Sequence, residues 1–276
     1  MNSLPSATPT ARDHRVRSLF VSIFLLAICA PWGLRRLWKR GTRWWVLLPA
    51  AIITLPVFVV TCAFIGILAF ASFLPDLDLS VSEHAPRTVR FAAGNYESTF
   101  LETSRDTGGV RELIRVEIQP HGGNEFHYHR TFEETFTAVD GELTVFVGSK
   151  VTVLKPGESI TAPRGILHTF RNATDKLVTM TVRVEPARGL EKSIRVAYGL
   201  SNTNRWYGAS RMKNTWRLVL MLAYSETYMP GMPGFIQEPL VGALARIAQW
   251  RGEDAELQEF FGPPQSAGAN VAAPAS

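Results

Sequence analysis

Hydrophobic and polar positions follow three rhythms along this chain. From Ser18 to Leu34, and again from Trp44 to Leu74, apolar residues run without a charge. The second run has 31 residues, well beyond the roughly 20 that a helix needs to cross a bilayer. Its Pro49 and Pro56 are expected to kink such a helix without ending it. The first run is short for a span and is broken by Pro31 and Gly33. Together they read as a membrane anchor over 18–75, with a transmembrane helix at 44–74 and a second one expected at 18–34. From about Pro86 the period drops to two. Val110, Glu112, Ile114, Val116 and Ile118 fall on one side of an extended strand, and Val178, Met180, Val182 and Val184 on one side of another. Asp140-Gly141 and Gly148-Ser149 are hairpin signals. Residues 86–200 therefore read as an antiparallel barrel that closes near Leu200. Beyond it, 201–262 turns helical. One helix is expected over Arg211–Tyr228, then the breakers Pro230, Gly231, Pro233 and Gly234. A second helix follows, with Leu240, Val241, Leu244, Ile247 and Ala248 on one stripe. Two helices packed on the outside of the barrel are expected, with membrane or partner docking as the alternative. Residues 1–17 and 263–276 carry no pattern and read as disordered.

Charge sharpens the first rhythm. The net charge is +5, and eight Arg and Lys residues fall between Arg12 and Arg43 against the single Asp13. The turn from Arg35 to Arg43 holds five positive charges and no negative one, while Asp76, Asp78 and Glu83 follow the long apolar run. Basic loops stay on the cytoplasmic side, so the barrel is expected on the extracytoplasmic side of the membrane. Trp32, Trp38, Trp44 and Trp45 suit an interfacial aromatic belt. A signal-peptide reading of 12–30 lacks a small-x-small cleavage site and leaves the long run in place. The barrel has no basic stripe interleaved with aromatics, so no nucleic acid is expected as a partner. Cys29 and Cys62, the two cysteines, both lie in apolar runs, which leaves the soluble part without disulfide or thiolate ligand.

The candidate chemistry lies between Gly123 and Asn172. His127 and His129, two apart in an extended segment, point to the same face. Glu134 and His168 join them if two hairpins bring the segments together. Three imidazole nitrogens and one carboxylate oxygen suit Fe, Mn, Ni, Cu or Zn rather than Ca or Mg, and leave coordination positions for water or substrate.

These segments resemble the two motifs of the cupin superfamily, small antiparallel barrels of jelly-roll type. The first motif runs through His127, His129, Glu134 and Gly141. The spacing to Gly141 selects Glu134 over Glu133. The leading glycine of that motif is replaced by His121, with Gly122 and Gly123 just inside. The second motif is matched at Gly157, Pro163, Gly165, His168 and Asn172. The resemblance implies a divalent metal on His127, His129, Glu134 and His168. It implies structural roles for Gly123, Gly141, Gly157, Pro163, Gly165 and Asn172, and it leaves a homodimer open.

The fold class expected is thus mainly β: a jelly-roll cupin barrel after one or two transmembrane helices and before a short helical appendage. Parity places Phe136, Ala138 and Phe170 near the metal. They are either ordinary core or the apolar wall of a pocket for an aromatic, terpenoid or other hydrophobic small molecule. Tyr128 should face away and pack. Two functions follow from this. One is an enzyme of oxygenase or isomerase type on a small hydrophobic organic substrate. The other is a tethered, non-catalytic ligand-binding or structural module. The family resemblance does not choose between them.

Overall fold

The computed structural model describes residues 29–205 and 211–262. The expected disorder at 1–17 and 263–276, and most of the expected helix at 18–34, lie outside them. The chain divides into two units, residues 1–70 and 71–276.

In the first unit residues 29–39 are helical, and helix α1 spans Trp44–Ala71 for 28 residues through both Pro49 and Pro56. At 1.5 Å per residue it is about 42 Å long, against a hydrocarbon core of about 30 Å. It is the one helix among the described residues long and apolar enough to cross a membrane. Side chains such as Ile52, Ile53 and Val60 stand exposed along it. It ends at Ala71, short of the expected Leu74.

In the second unit ten strands run from Thr88 to Glu185: β1 Thr88–Phe91, β2 Tyr96–Glu102, β3 Glu112–Ile118, β4 Tyr128–His129, β5 Glu133–Asp140, β6 Leu143–Val147, β7 Lys150–Leu154, β8 Ser159–Ala162, β9 His168–Arg171 and β10 Val178–Glu185. All pairings are antiparallel. One sheet has the order β1-β2-β3-β10-β5-β8 and the other β7-β6-β9. Their inner faces share one core, in which Ile118, Phe136, Leu143, Val145, Val178 and Met180 are buried. Each such side chain removed from water contributes about 1.5–3 kcal/mol. β10 sits between β3 and β5, and its Val178, Met180, Val182 and Val184 are all buried, as the alternation predicts. β3 also alternates as expected from Glu112 onward, but Val110 precedes the strand and is 61% exposed. The hairpin expected at Gly148-Ser149 joins the paired strands β6 and β7, whereas Asp140-Gly141 is not a hairpin: it carries the chain from β5 in one sheet to β6 in the other.

The strands end at Glu185, and helix α2, Leu190–Asn202, occupies the stretch expected to close the barrel. Helix α3, Arg211–Tyr224, stops four residues before the expected Tyr228, because Thr227–Tyr228 forms a short strand, β11. Helix α4, Gly234–Trp250, follows the double turn. Its buried stripe centres on Val241, Ala245 and Ala248, with Leu244 partly buried beside it. α2 ties the two cores together. Leu190 and Tyr198 belong to the barrel core, while Val196 and Leu200 belong to the helical one. β11 pairs antiparallel with β4, so the appendage is not merely laid on the barrel but hydrogen-bonded to one of its strands.

Candidate metal centre

Each of the four expected ligands is delivered by a strand or a strand end. β5 and β10 pair Glu134 with Val184, and β5 and β8 pair it with Ala162, which fixes its carboxylate toward the interior. His127 and His168 face each other through two backbone hydrogen bonds, His127 N to His168 O at 3.1 Å and His168 N to His127 O at 2.8 Å. The amide of Gly165 donates to His129 O at 2.7 Å, locking the turn of the second motif onto the first. One donor atom from each of His127, His129, Glu134 and His168 lies within 4.8 Å of all the others. His129, Glu134 and His168 are buried and His127 is half-buried.

The imidazoles are oriented by their outer nitrogens. His127 Nδ1 lies 2.8 Å from Glu125 O, and His168 Nδ1 lies 2.8 Å from Ile166 O. His129 Nδ1 lies 3.2 Å from Ser225 O. A backbone carbonyl only accepts, so each Nδ1 carries the hydrogen and each Nε2 faces inward, the usual way a protein fixes a metal-binding tautomer. His129 Nε2 is buried with no hydrogen-bond partner; its nearest carboxylate oxygen, Glu134 Oε2, is 3.6 Å away, too long for a hydrogen bond. Phe132 stacks on the His129 ring at 4.1 Å and closes its other side.

The electrostatics follow from burial and from the carboxylate. Burial, with the neighbouring His129 and His168, lowers the His127 pKa to about 3. Burial alone would lower His168 as well, but its 2.9 Å hydrogen bond to Glu134 outweighs it and raises the pKa above the ordinary value. For Glu134 burial pulls upward, while the charge of His129 and the bond from His168 hold it well below the usual carboxylate range. A buried carboxylate and three inward imidazole nitrogens, one of them orphaned, fit a divalent transition metal.

The motif residues hold this geometry. A Cβ on Gly123 would lie 2.6 Å from Phe170 O, so only glycine lets the two motifs approach. His121 has φ 62°, the left-handed conformation that glycine adopts most easily, at the place where the leading glycine is missing. It is exposed, 3.2 Å from Asp175. Gly141, Gly157 and Gly165 take positive φ, and Pro163 O accepts from Ile166 N to close the turn before His168. Asn172 is fully buried. Its Nδ2 donates to Ile118 O, Gln119 O and Lys176 O, and its Oδ1 accepts from Thr174, tying the end of β9 to the end of β3. Tyr128 packs away from the centre, against Tyr228 at 5.5 Å, as expected. His84 is exposed beside Glu83; His14 is outside the described residues.

His127, His129 and Glu134 open onto a cavity of about 450 Å³. Phe136 and Phe170 line it, while Ala138 belongs to the packed core. The lining contains no Lys or Arg. Leu190, Ile194, Met221 and Leu222 of the C-terminal helices complete the wall, and Ser225 and Thr227 reach His129 itself. Thr227 Oγ1 is 3.2 Å from His129 Nδ1 and 2.6 Å from Ser225 Oγ, which donates to Ser193 Oγ; Ser193 in turn donates to Met221 O. Sequence reasoning missed this hydroxyl chain. The polar break Ser225-Glu226-Thr227 between two apolar helices was its one local trace.

A small antiparallel barrel with an inward His-His-Glu-His cluster defines the class. Residues 114–184 match the cupin domain family, and the chain carries a cupin domain. Similar solved structures include TT1209 from Thermus thermophilus (22% identity, 36% of this chain and 90% of that one, TM-score 0.33). An RmlC-like cupin from Shewanella frigidimarina is 19% identical over 40% of this chain and 96% of that one, with TM-score 0.34. KdgF from Halomonas sp. is 15% identical over 40% of this chain and 94% of that one, with TM-score 0.33. No curated protein matches the chain significantly.

Proposed function

We propose that this chain is a membrane-anchored cupin that holds one Fe, Mn, Ni, Cu or Zn ion on His127, His129, Glu134 and His168. In this reading it is an enzyme of oxygenase or isomerase type acting on a small hydrophobic organic molecule. The observation that carries the metal is the orphaned His129 Nε2. It is buried among three other donor atoms and aimed inward by a carbonyl behind it. When bound, a divalent ion would polarise a substrate oxygen or activate water or dioxygen. The chain's own residues do the rest. Three carbonyls and Thr227 fix the imidazoles, Phe132 packs against one of them, and the apolar wall selects uncharged, carbon-rich ligands. A lining without Lys or Arg disfavours phosphorylated and polyanionic substrates. A second reading, a tethered module that binds without turnover, is favoured by one feature. Apart from the four ligands, Glu125 is the one carboxylate in the lining, so no separate acid–base pair stands ready.

The test is elemental analysis of the full-length protein purified in detergent, free of tags. About one transition-metal ion per chain is expected. A His127→Ala/His129→Ala variant should lose the ion while its β-sheet circular dichroism survives. Full metal retention in that variant would sink the ligand assignment. Product formation from an apolar substrate, lost on metal removal, distinguishes the enzyme from the binding module.

A further inference from the structure

The first unit carries a charged surface that the metal centre does not use. Between Asp13 and Asp76 the chain holds no acidic residue, yet Arg35, Arg36, Lys39, Arg40 and Arg43 fall close together there. Residues 29–39 are helical, and positions three and four apart share one face of a helix. Trp32, Arg35, Arg36 and Lys39 therefore form a single stripe, and all four side chains are exposed, Trp32 to 79%. The opposite face holds Ala30, Leu34 and Leu37, of which Ala30 is buried and Leu34 half-buried. The described part of this unit contains no Asp or Glu, so the cations of the stripe have no carboxylate partner within it.

The turn after the stripe is short and defined. Gly41 N donates to Trp38 O at 3.0 Å and Thr42 N to Leu37 O at 3.2 Å, the paired bonds of a Schellman cap. Gly41 has φ 72°, the left-handed conformation that such a cap requires. Only Thr42 and Arg43 then precede α1, and Arg43 O already accepts from Val46 N and Leu47 N. The Arg43 guanidinium lies over the Trp45 ring at 4.8 Å, beside the exposed Trp44. A two-residue connection thus holds the basic stripe next to a helix of bilayer length. Tryptophan suits the membrane–water interface, and clustered Arg and Lys beside a span attract anionic lipid. Guanidinium and ammonium groups bond the phosphate of any phospholipid, but only an anionic one brings net negative charge to three unpaired cations.

We propose that the stripe Trp32, Arg35, Arg36 and Lys39 binds the headgroups of anionic phospholipids in the leaflet from which α1 enters the bilayer. This rests on the membrane-anchored reading above and adds to it a lipid class and the residues that select it. The experiment uses the full-length protein reconstituted in phosphatidylcholine vesicles with a trace of spin-labelled phosphatidylglycerol or phosphatidylcholine. Electron paramagnetic resonance reads the share of each label whose motion the protein restricts. The wild type should hold phosphatidylglycerol about fivefold over phosphatidylcholine, the factor for one basic side chain at an anionic surface. The preference should shrink in about 1 M salt, where charges more than about 3 Å apart are screened. Arg35→Gln/Arg36→Gln/Lys39→Gln, which keeps Arg40 and Arg43 before α1, should lose it. Lys150→Gln/Lys155→Gln/Lys176→Gln removes as many exposed charges from the barrel and should retain it. Equal restriction of both lipids by the wild type, a preference surviving in the stripe variant, or one lost equally in the barrel variant would overturn the proposal. Flotation of the vesicles separates the two readings. Protein that stays behind overturns the anchor and the stripe together, whereas protein that floats without lipid preference overturns the stripe alone.

Discussion

Glu112 shows how far a single buried side chain can depart from its pattern. It occupies a core position of β3, on the same side as Ile114, Val116 and Ile118, and is 0% exposed with neither carboxyl oxygen hydrogen-bonded. Alternation alone placed it inward, yet gave no reason for a carboxyl there. Burial, reinforced by the nearby charge of Glu191, raises its pKa to about 8. The sign of the consequence is fixed by linkage. Between its ordinary value of 4.5 and about 8, the folded chain keeps this proton and the unfolded chain has lost it. Folding is therefore favoured at the acid end of that window and weakened progressively as pH rises through it. Glu112→Gln, neutral at every pH, should remove the effect. The thermal midpoint of the wild type should fall by several degrees between pH 5 and pH 8 relative to the variant. Parallel curves for the two proteins would show that Glu112 does not hold its proton.

At the level of elements, the barrel was legible because its strands are amphipathic with period two and its turns are marked by glycine. That His127, His129, Glu134 and His168 would cluster was legible because histidines two apart, a carboxylate and a later histidine sit at spacings that the fold uses. What stayed hidden is long-range. Nothing in a period-two or helical rhythm announces that Thr227 and Tyr228, after a helix, pair with Tyr128 and His129 a hundred residues earlier. Nor does it show that α2, not a strand, follows β10. Tertiary packing decides both, since two residues are too few for a periodic signal. The pairing has a chemical consequence. His127 and His168 are oriented by carbonyls of their own loops, whereas His129 depends on β11 and the turn before it. Thr227→Val removes the hydroxyl that contacts His129 Nδ1 and ends the chain through Ser225 and Ser193, at nearly constant volume. Metal affinity, measured by competition with a chromogenic chelator, should fall about 10- to 100-fold, the range for loss of an outer hydrogen-bond partner. Unchanged affinity would mean that the Ser225 carbonyl alone holds the ring.

For the molecule as a whole, the question is which side of a bilayer receives the cupin domain. α1 has the length and composition of a span, and the charges flank it unequally. Five basic residues stand between Arg35 and Arg43 before it, and Asp76, Asp78 and Glu83 follow it. On the proposed membrane-anchored reading, retention of basic segments on the cytoplasmic side would carry the barrel to the other face. The same asymmetry gives that answer whether or not 18–34 also crosses, because the basic turn immediately precedes α1 in either case. The orientation is testable with single cysteines in a background where Cys29 and Cys62 are serine. Ser149 is exposed in the β6–β7 hairpin, and Lys39 is exposed at the end of the helical stretch 29–39, within the basic segment. In intact cells a membrane-impermeant maleimide should label Ser149→Cys fully and Lys39→Cys only after the membrane is permeabilised. The reverse pattern would put the barrel in the cytoplasm and make the basic turn external. Labelling of both without permeabilisation would remove the span itself, and the membrane would then drop out of any account of how substrate reaches the site.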